Sequence, residues 1–276
     1  MIDVHYLDLI KQYALSLGFL RVRLANCEEG GRWLMVALPY LPATPAARRY
    51  FGLYTCHDNY TRAVDLLKQV RQKASELLSV SPKSMRIICN SRETEKKLAA
   101  SCGLGYYGKN SLIIIPNWGS FCVLAALHLP IDDAPDAPLP SVAPYHCGSC
   151  QLCRFNCPVR ALETPYQLEV EQCAQQWAST GQQPPDHLLE QAPKMILGCD
   201  RCQTCCPKNI KAMQYYKQMA ELADDQPWTD IHLWLQEDAE QRGIVIKSSP
   251  LKFKWLDKDN LRENAIRCAQ YDGLLS

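Results

Sequence analysis

Apolar residues in the first 130 positions change their period several times, and each change predicts an element. Val4, Leu7, Ile10, Ala14 and Leu17 recur at three- and four-residue steps, which predicts an amphipathic helix closed by Gly18. FLRVRLA then alternates as a strand does. The apolar run WLMVALPY (33 to 40), bounded by Pro39 and Pro42, predicts a buried strand. A long helical pattern follows from Asn59, a residue suited to an N-cap, with Val64, Leu67, Val70, Ala74 and Leu77 on one face. RIIC (86 to 89), SLIII (111 to 115) and FCVLAAL (121 to 127) predict further strands, the first two separated by the charged helical stretch RETEKKLAA. Strands and helices mix, so the chain up to about 130 reads as one α/β or α+β domain.

PIDDAPDAPLPSVAPY (130 to 145) holds five prolines and three aspartates and offers little for a core, so it is expected to be a linker. A cysteine-rich module runs from there to about 209. Beyond it the pattern is helical: KAMQYYKQMAELA, TDIHLWLQEDAEQ and LDKDNLRENAIRCAQ, with no repeat at a fixed period. The expected fold class is α+β, in three parts: residues 1–140, 141–212 and a helical segment 213–276.

Composition narrows the chemistry. With 276 residues and a net charge of +1, the chain carries no global field that would draw it onto nucleic acid or membrane. No window approaches eighteen unbroken apolar residues, and Asp3 and Asp8 stand where a signal peptide would be basic, so a cytoplasmic protein without a membrane partner is expected. Fifteen cysteines in a reducing compartment then argue for metal or redox chemistry and not for a disulfide scaffold. Cys27, Cys56, Cys89, Cys102, Cys122, Cys205 and Cys268 lie outside the motifs' main pattern, and most read as small buried hydrophobes.

Cys147, Cys150, Cys153 and Cys157, followed by Pro158, form C-x2-C-x2-C-x3-C-P, the bacterial ferredoxin spacing for a 4Fe-4S cluster. In that arrangement three sulfurs hold one cluster and the fourth reaches another, so one motif predicts a second. The run GCDRCQTCCP supplies Cys199, Cys202, Cys205 and Cys206. If Pro207 marks the crossing cysteine, that residue is Cys206, Cys202 is third and Cys199 second. The first position falls on Ile196, so a ligand must come from outside the run, and Cys173 is the nearest candidate. One cluster is then assigned to Cys147, Cys150, Cys153 and Cys206, the other to Cys157, Cys173, Cys199 and Cys202. A rival assignment uses Cys205 and frees Cys173, and a pair of zinc sites is the alternative metal chemistry.

GLGYYG (103 to 108) matches the dinucleotide-binding G-x-G-x-x-G, but in reversed context, with a helix before it and a strand after. A tight helix-to-strand loop, whose glycines allow a close approach to the backbone, fits better. AASCGLGYYGKNSLII, then GSFCVLAAL, then the two cysteine runs, resemble the epoxyqueuosine reductase family in order and separation. The resemblance implies an N-terminal α/β cobalamin-binding domain of reductive-dehalogenase type joined to a ferredoxin-like domain with two 4Fe-4S clusters. It also implies that Cys173 is a ligand. Gly105, Lys109, Asn110, Ile113 and Leu124 would line the corrin. Electrons from an external one-electron donor, such as flavodoxin or ferredoxin, would pass through the clusters to cobalamin and reduce epoxyqueuosine in the tRNA anticodon region to queuosine.

Two positions depart from the family. Its proton-donating aspartate is matched by Cys89, or by Asn90 after a one-residue shift; a thiol can act as a general acid and an amide cannot. Its Tyr-His pair is matched by Tyr60 and Thr61, with His57 or Asp58 as substitutes. A divergent corrinoid reductase with another substrate, or a cobalamin-free electron-transfer protein, are therefore alternatives. For RNA, the local basic feature is KSSPLKFKWLDK (247 to 258), with Lys208 and Lys211; a solvated surface is the bland reading of it. The longer members' helical-repeat extension is not matched, so a smaller tRNA-binding surface is expected.

Overall fold

The computed structural model describes residues 4–90, 95–131, 147–182, 185–236, 239–247, 249–252 and 256–275. The expected linker from residue 132 on, residues 91–94, and Phe253 and Trp255 of the basic run lie outside the described residues. The chain gathers into two compact units, each assembled from separate stretches. The first is Met1–Pro39, Tyr60–Gly108 and Leu112–Gly148; the second is Tyr40–Asn59, Lys109–Ser111 and Ser149–Ser276.

The strands of the first unit are β1 (Arg21–Asn26), β2 (Arg32–Pro39), β3 (Ile87–Cys89), β4 (Tyr106–Tyr107), β5 (Ile113–Ile114) and β6 (Cys122–Leu129). Four of them form a sheet in the order β1-β2-β6-β3, and β4 pairs with β5 separately. All these pairings are antiparallel, which makes the unit α+β in kind. Central position explains the unbroken apolar run of β2: Trp33 to Leu38 are all buried, whereas the edge strand β1 alternates. Helix Glu95–Ser101 packs across β1, β2 and β6, and helix Val4–Ser16 packs on β1. The first helix buries Leu7, Ile10 and Ala14, as its period predicts. In helix Asn59–Leu78 the buried stripe is Ala63, Leu67, Val70 and Ala74. Val64 and Leu77, expected on it, flank it half-buried.

The glycine segment does helix-to-strand work. Gly103, at φ +67°, follows the end of helix Glu95–Ser101 in the left-handed conformation that glycine adopts without strain. At Gly105 a Cβ would lie 2.5 Å from Ile113 Cγ2 and 2.7 Å from the Ile114 carbonyl, so the β4-β5 pair closes only over a bare backbone.

The second unit packs the C-terminal helices around residues 40–59. Helices Ile231–Leu235 and Ala174–Thr180 both pack on helix Lys258–Tyr271, which Asp257 caps by accepting from the backbone N–H groups of Asp259 and Asn260, both at 3.0 Å. Trp228 Nε1 donates to the Thr55 carbonyl at 3.0 Å, Trp234 Nε1 to the Trp228 carbonyl at 2.9 Å, and the Tyr216 hydroxyl to the Tyr40 carbonyl at 3.1 Å. Each large aromatic is thus buried with its polar atom satisfied. Asn59, expected as a helix cap, is fully buried and stitches a loop instead. It accepts from the Leu41 N–H at 2.9 Å and donates to the carbonyls of Tyr54 and His57, both at 3.2 Å.

Two glycines set the backbone just before the second cysteine run. Gly198, at φ +93°, stands so close to Gly52 that a Cβ on it would lie 2.5 Å from the Gly52 nitrogen. Phe51 and Leu197 form a parallel bridge beside them. Gly198→Ala is expected to destabilise this unit by at least about 1–3 kcal/mol, the cost of the disfavoured φ before any clash is counted. A denaturant titration measures it, and an unchanged midpoint would refute it.

Asp272 fastens the end of the last helix: Arg49 lies 2.9 Å from its carboxylate and the Tyr50 hydroxyl donates to it. The hydrogen bond from Arg49, and then that from Tyr50, hold the carboxyl below its usual range. Burial, and then the bond to Asp272, push the Tyr50 phenol up to about 12. The depressed carboxyl stabilises the fold above its unfolded pKa, and that stability disappears as pH falls through the lower folded value. The raised phenol stabilises it below the unfolded pKa of about 10, and this is lost as pH rises through about 12. Asp272→Asn is expected to flatten melting temperature against pH at both ends, most clearly at the acid one.

Candidate iron-sulfur centre

The first cysteine run folds as a turn at residues 147–149 followed by the short helix Leu152–Phe155. Cys147 stands in that turn, half-buried. Arg154 pins the run to the segment after it, donating from Nε to the Leu162 carbonyl at 3.1 Å and from its terminal nitrogens to the Glu163 carbonyl and the Gln151 side chain. Cys157 and Cys173 pack together against Val159, Ala161, Trp177 and Leu188.

Cys173 heads helix Ala174–Thr180. Burial raises its thiol, while the backbone N–H groups of Gln175 and Gln176, pointing at the sulfur, lower it, the usual favour of a helix start for a thiolate. The second run opens on Cys199, whose thiol burial pushes up to about 11 against a hydrogen bond from the Arg201 N–H. Helix Arg201–Thr204 follows and packs against Leu152–Phe155 of the first run. Asp200, buried beneath the second run, accepts from the Leu53 N–H at 2.8 Å and from Gln203 Nε2 at 3.3 Å, with Arg48 at 4.0 Å. Burial raises its carboxyl; Leu53 and Arg48 pull against that.

Electrostatics shows which thiols share a place. Cys202 is raised well above the usual thiol range by burial first, and then by Cys199, Cys173 and Cys157. Cys199 is raised in turn by Cys173 and Cys157 as well as Asp200, and Cys173 by Cys157. Cys205 is raised by burial, then by Cys206, with Cys150 and Cys157 also felt. Ionising several half-buried thiols that act on one another gathers negative charge, which a polyvalent metal body offsets. The donor set therefore fits an iron-sulfur cluster.

Residues 146–209 match the family model described as a 4Fe-4S double cluster binding domain. An epoxyqueuosine reductase of Gloeobacter violaceus is 30% identical over 175 residues, which take in 62% of this chain and 54% of that protein. The chain is a relative of the epoxyqueuosine reductases. It spans about half the length of the curated epoxyqueuosine reductases it matches. A crystal structure of selenomethionine-labelled epoxyqueuosine reductase superposes with a TM-score of 0.72 at 20% identity, covering 97% of this chain and 82% of that one. A crystal structure of epoxyqueuosine reductase with an epoxyqueuosine-modified tRNA-Tyr stem loop does so with a TM-score of 0.67 at 20% identity, over the same shares. Both show a common fold. No described helix is long and apolar enough to cross a membrane.

The remaining expected site residues fall in two places. In the first unit, Cys89 ends β3 half-buried, its sulfur 3.9 Å from the Tyr60 carbonyl, and Asn90 follows at φ +55°. Burial, then Cys89 and Glu95, push the Tyr60 hydroxyl up to about 12. Glu95 is itself buried, so a carboxyl, a phenol and a thiol share this strand end. Ile113 is buried in the core of the first unit, and Leu124 packs against it. In the second unit, Lys109 Nζ donates to the Cys150 carbonyl at 2.9 Å and Asn110 Nδ2 to the Cys202 carbonyl at 3.2 Å. His57 lies 2.6 Å from the Pro42 carbonyl, and Asp58 pairs with Lys252 of the basic run at 2.9 Å.

The sequence reading missed Asn260 and Asn264. Asn260 donates to the carbonyls of Trp177 and Ala178, both at 2.9 Å, and Asn264 to that of Ile196 at 3.1 Å. One helix thereby holds the helix that Cys173 heads and the backbone leading into Cys199. The available signal was two asparagines four residues apart on the face that also carries Leu261, Ala265 and Cys268.

Proposed function

We propose that this chain is a reductase of the epoxyqueuosine reductase kind. It would hold one 4Fe-4S cluster on Cys147, Cys150, Cys153 and Cys206 and another on Cys157, Cys173, Cys199 and Cys202. The observation that carries the reading is the group of half-buried thiols Cys157, Cys173, Cys199 and Cys202, acting on one another inside the matched double-cluster segment. Cys205, beside Cys206, is the spare thiol. The finer account of the fold gives the first unit cobalamin binding of reductive-dehalogenase type and the cysteine module a ferredoxin-like form.

When bound, the clusters supply a one-electron relay and cobalamin the reduction of an epoxide. Loss of the epoxide oxygen as water takes two electrons and two protons and leaves a carbon-carbon double bond. The chain's own part is to hold the clusters, to exclude water from their buried ligands, and to deliver protons. The strand end with Cys89, Tyr60 and Glu95 is the place for proton delivery, and the Cys89 thiol is our candidate. The substrate would be epoxyqueuosine in a tRNA anticodon region, the electron source an external flavodoxin or ferredoxin, and the setting cytoplasmic.

A second reading, a corrinoid reductase with a different substrate, is favoured by the cysteine standing where the family resemblance calls for an aspartate. Anaerobically purified protein, analysed for iron and sulfide and titrated with cobalamin under an ultraviolet-visible spectrometer, tests the cofactors. Reduction of epoxyqueuosine-bearing tRNA by the loaded protein tests the substrate. Corrinoid binding with untouched tRNA selects the second reading; clusters without corrinoid binding leave an electron-transfer protein.

A further inference from the structure

Lys109, Asn110 and Ser111 are separated in sequence from the cysteine module, yet they fold into its unit. The Tyr166 N–H donates to the Lys109 carbonyl at 3.2 Å, which fixes the backbone. From that anchor the two neighbouring side chains do the same thing to different runs. Lys109 reaches the carbonyl of Cys150 in the first, and Asn110 the carbonyl of Cys202 in the second. Asn110 is buried and Lys109 half-buried, so solvent does not fully screen the ammonium.

The two contacts are geometrically alike and electrically unlike, since an ammonium carries a full charge and a carboxamide none. A 4Fe-4S cluster gains one negative charge on reduction, and its potential depends on hydrogen bonding and charge around its sulfurs. A fixed cation at one ligand backbone therefore favours reduction of that cluster more than of the other.

We propose that Lys109 is a positioning residue that raises the reduction potential of the cluster held through Cys150 above that of the cluster held through Cys202. The inference rests on the ligand assignment proposed above. An electron on the cluster at Cys202 then passes to the one at Cys150 downhill, so the contact from Lys109 to the Cys150 carbonyl gives the pair a direction.

The test is a redox titration followed by electron paramagnetic resonance on the anaerobically purified, cluster-loaded full chain. Each cluster is assigned through Cys150→Ser and Cys202→Ser. Lys109→Met is expected to change the reduced-to-oxidised ratio of the Cys150 cluster at fixed potential by about tenfold toward oxidised, a fall of 59 mV for one electron, while the other cluster shifts by clearly less. Lys109→Arg keeps the charge and restores the wild-type value. Lys109→Gln, which keeps a donor and loses the charge, gives the same direction as methionine if the methionine variant does not fold. Equal shifts in both clusters, or none in either, overturn the inference while leaving the proposed reductase intact. Wild-type protein without iron and sulfide overturns both.

Discussion

Cys202→Ala is expected to halve the iron and acid-labile sulfide of the anaerobically purified protein and to reduce the proposed turnover of epoxyqueuosine to background, while one cluster keeps its spectroscopic signal. Burial and three neighbouring thiols act on its sulfur together. A cluster deprived of that ligand loses one of its four thiolate bonds. Cys173→Ala should give the same halving, because its sulfur is felt by both Cys199 and Cys202 and is held by two backbone N–H groups at the head of a helix. Cys205→Ala should leave iron and sulfide at the wild-type level. The reverse pattern, loss with Cys205→Ala and none with Cys173→Ala, would return Cys205 to the ligand set and remove Cys173.

The second large effect belongs to Cys89. If its thiol delivers a proton to the reaction, Cys89→Ala lowers the single-turnover rate by about 10²–10⁴, the range in which a positioned acid contributes. Cluster content and spectra are unaffected, because the residue lies at the end of β3 and not among the cysteine runs. Cys89→Asp places a carboxyl where the family resemblance calls for one, and it should recover most or all of the rate. A rate unmoved by alanine would pass the role to Tyr60 or Glu95, which share the same strand end.

Much of this was legible from residue pattern. A strand that is apolar without a break, as β2 is, belongs in the middle of a sheet, and the structure puts it between β1 and β6. Ligand spacing is local, so C-x2-C-x2-C-x3-C-P could be read directly, whereas the packing of Cys157 and Cys173 on one apolar cluster spans a sequence gap that spacing itself could not bridge. What escaped the reading was contact between distant stretches. Lys109 and Asn110 looked like cofactor-facing residues of a glycine loop, and no periodicity says that they bond to the carbonyls of Cys150 and Cys202. Asn59 was misjudged for a related reason. Asparagine before a helical pattern suits a cap, but the same side chain can satisfy a buried loop, and only the fold decides between them. Ala63 took the place expected of Val64 because a helix face is set by what it packs on, not by the largest apolar residue nearby.

Asn260 and Asn264 have a consequence for how the protein is made. The cysteines of the two runs are synthesised well before the helix Lys258–Tyr271, yet that helix grips the helix headed by Cys173 and the backbone leading into Cys199. A chain synthesised only as far as residue 257 lacks this grip, so loading of the proposed second set is expected to wait for the helix. Stalled chains ending before residue 257 should consequently be slow to take up iron even when every ligand has already emerged.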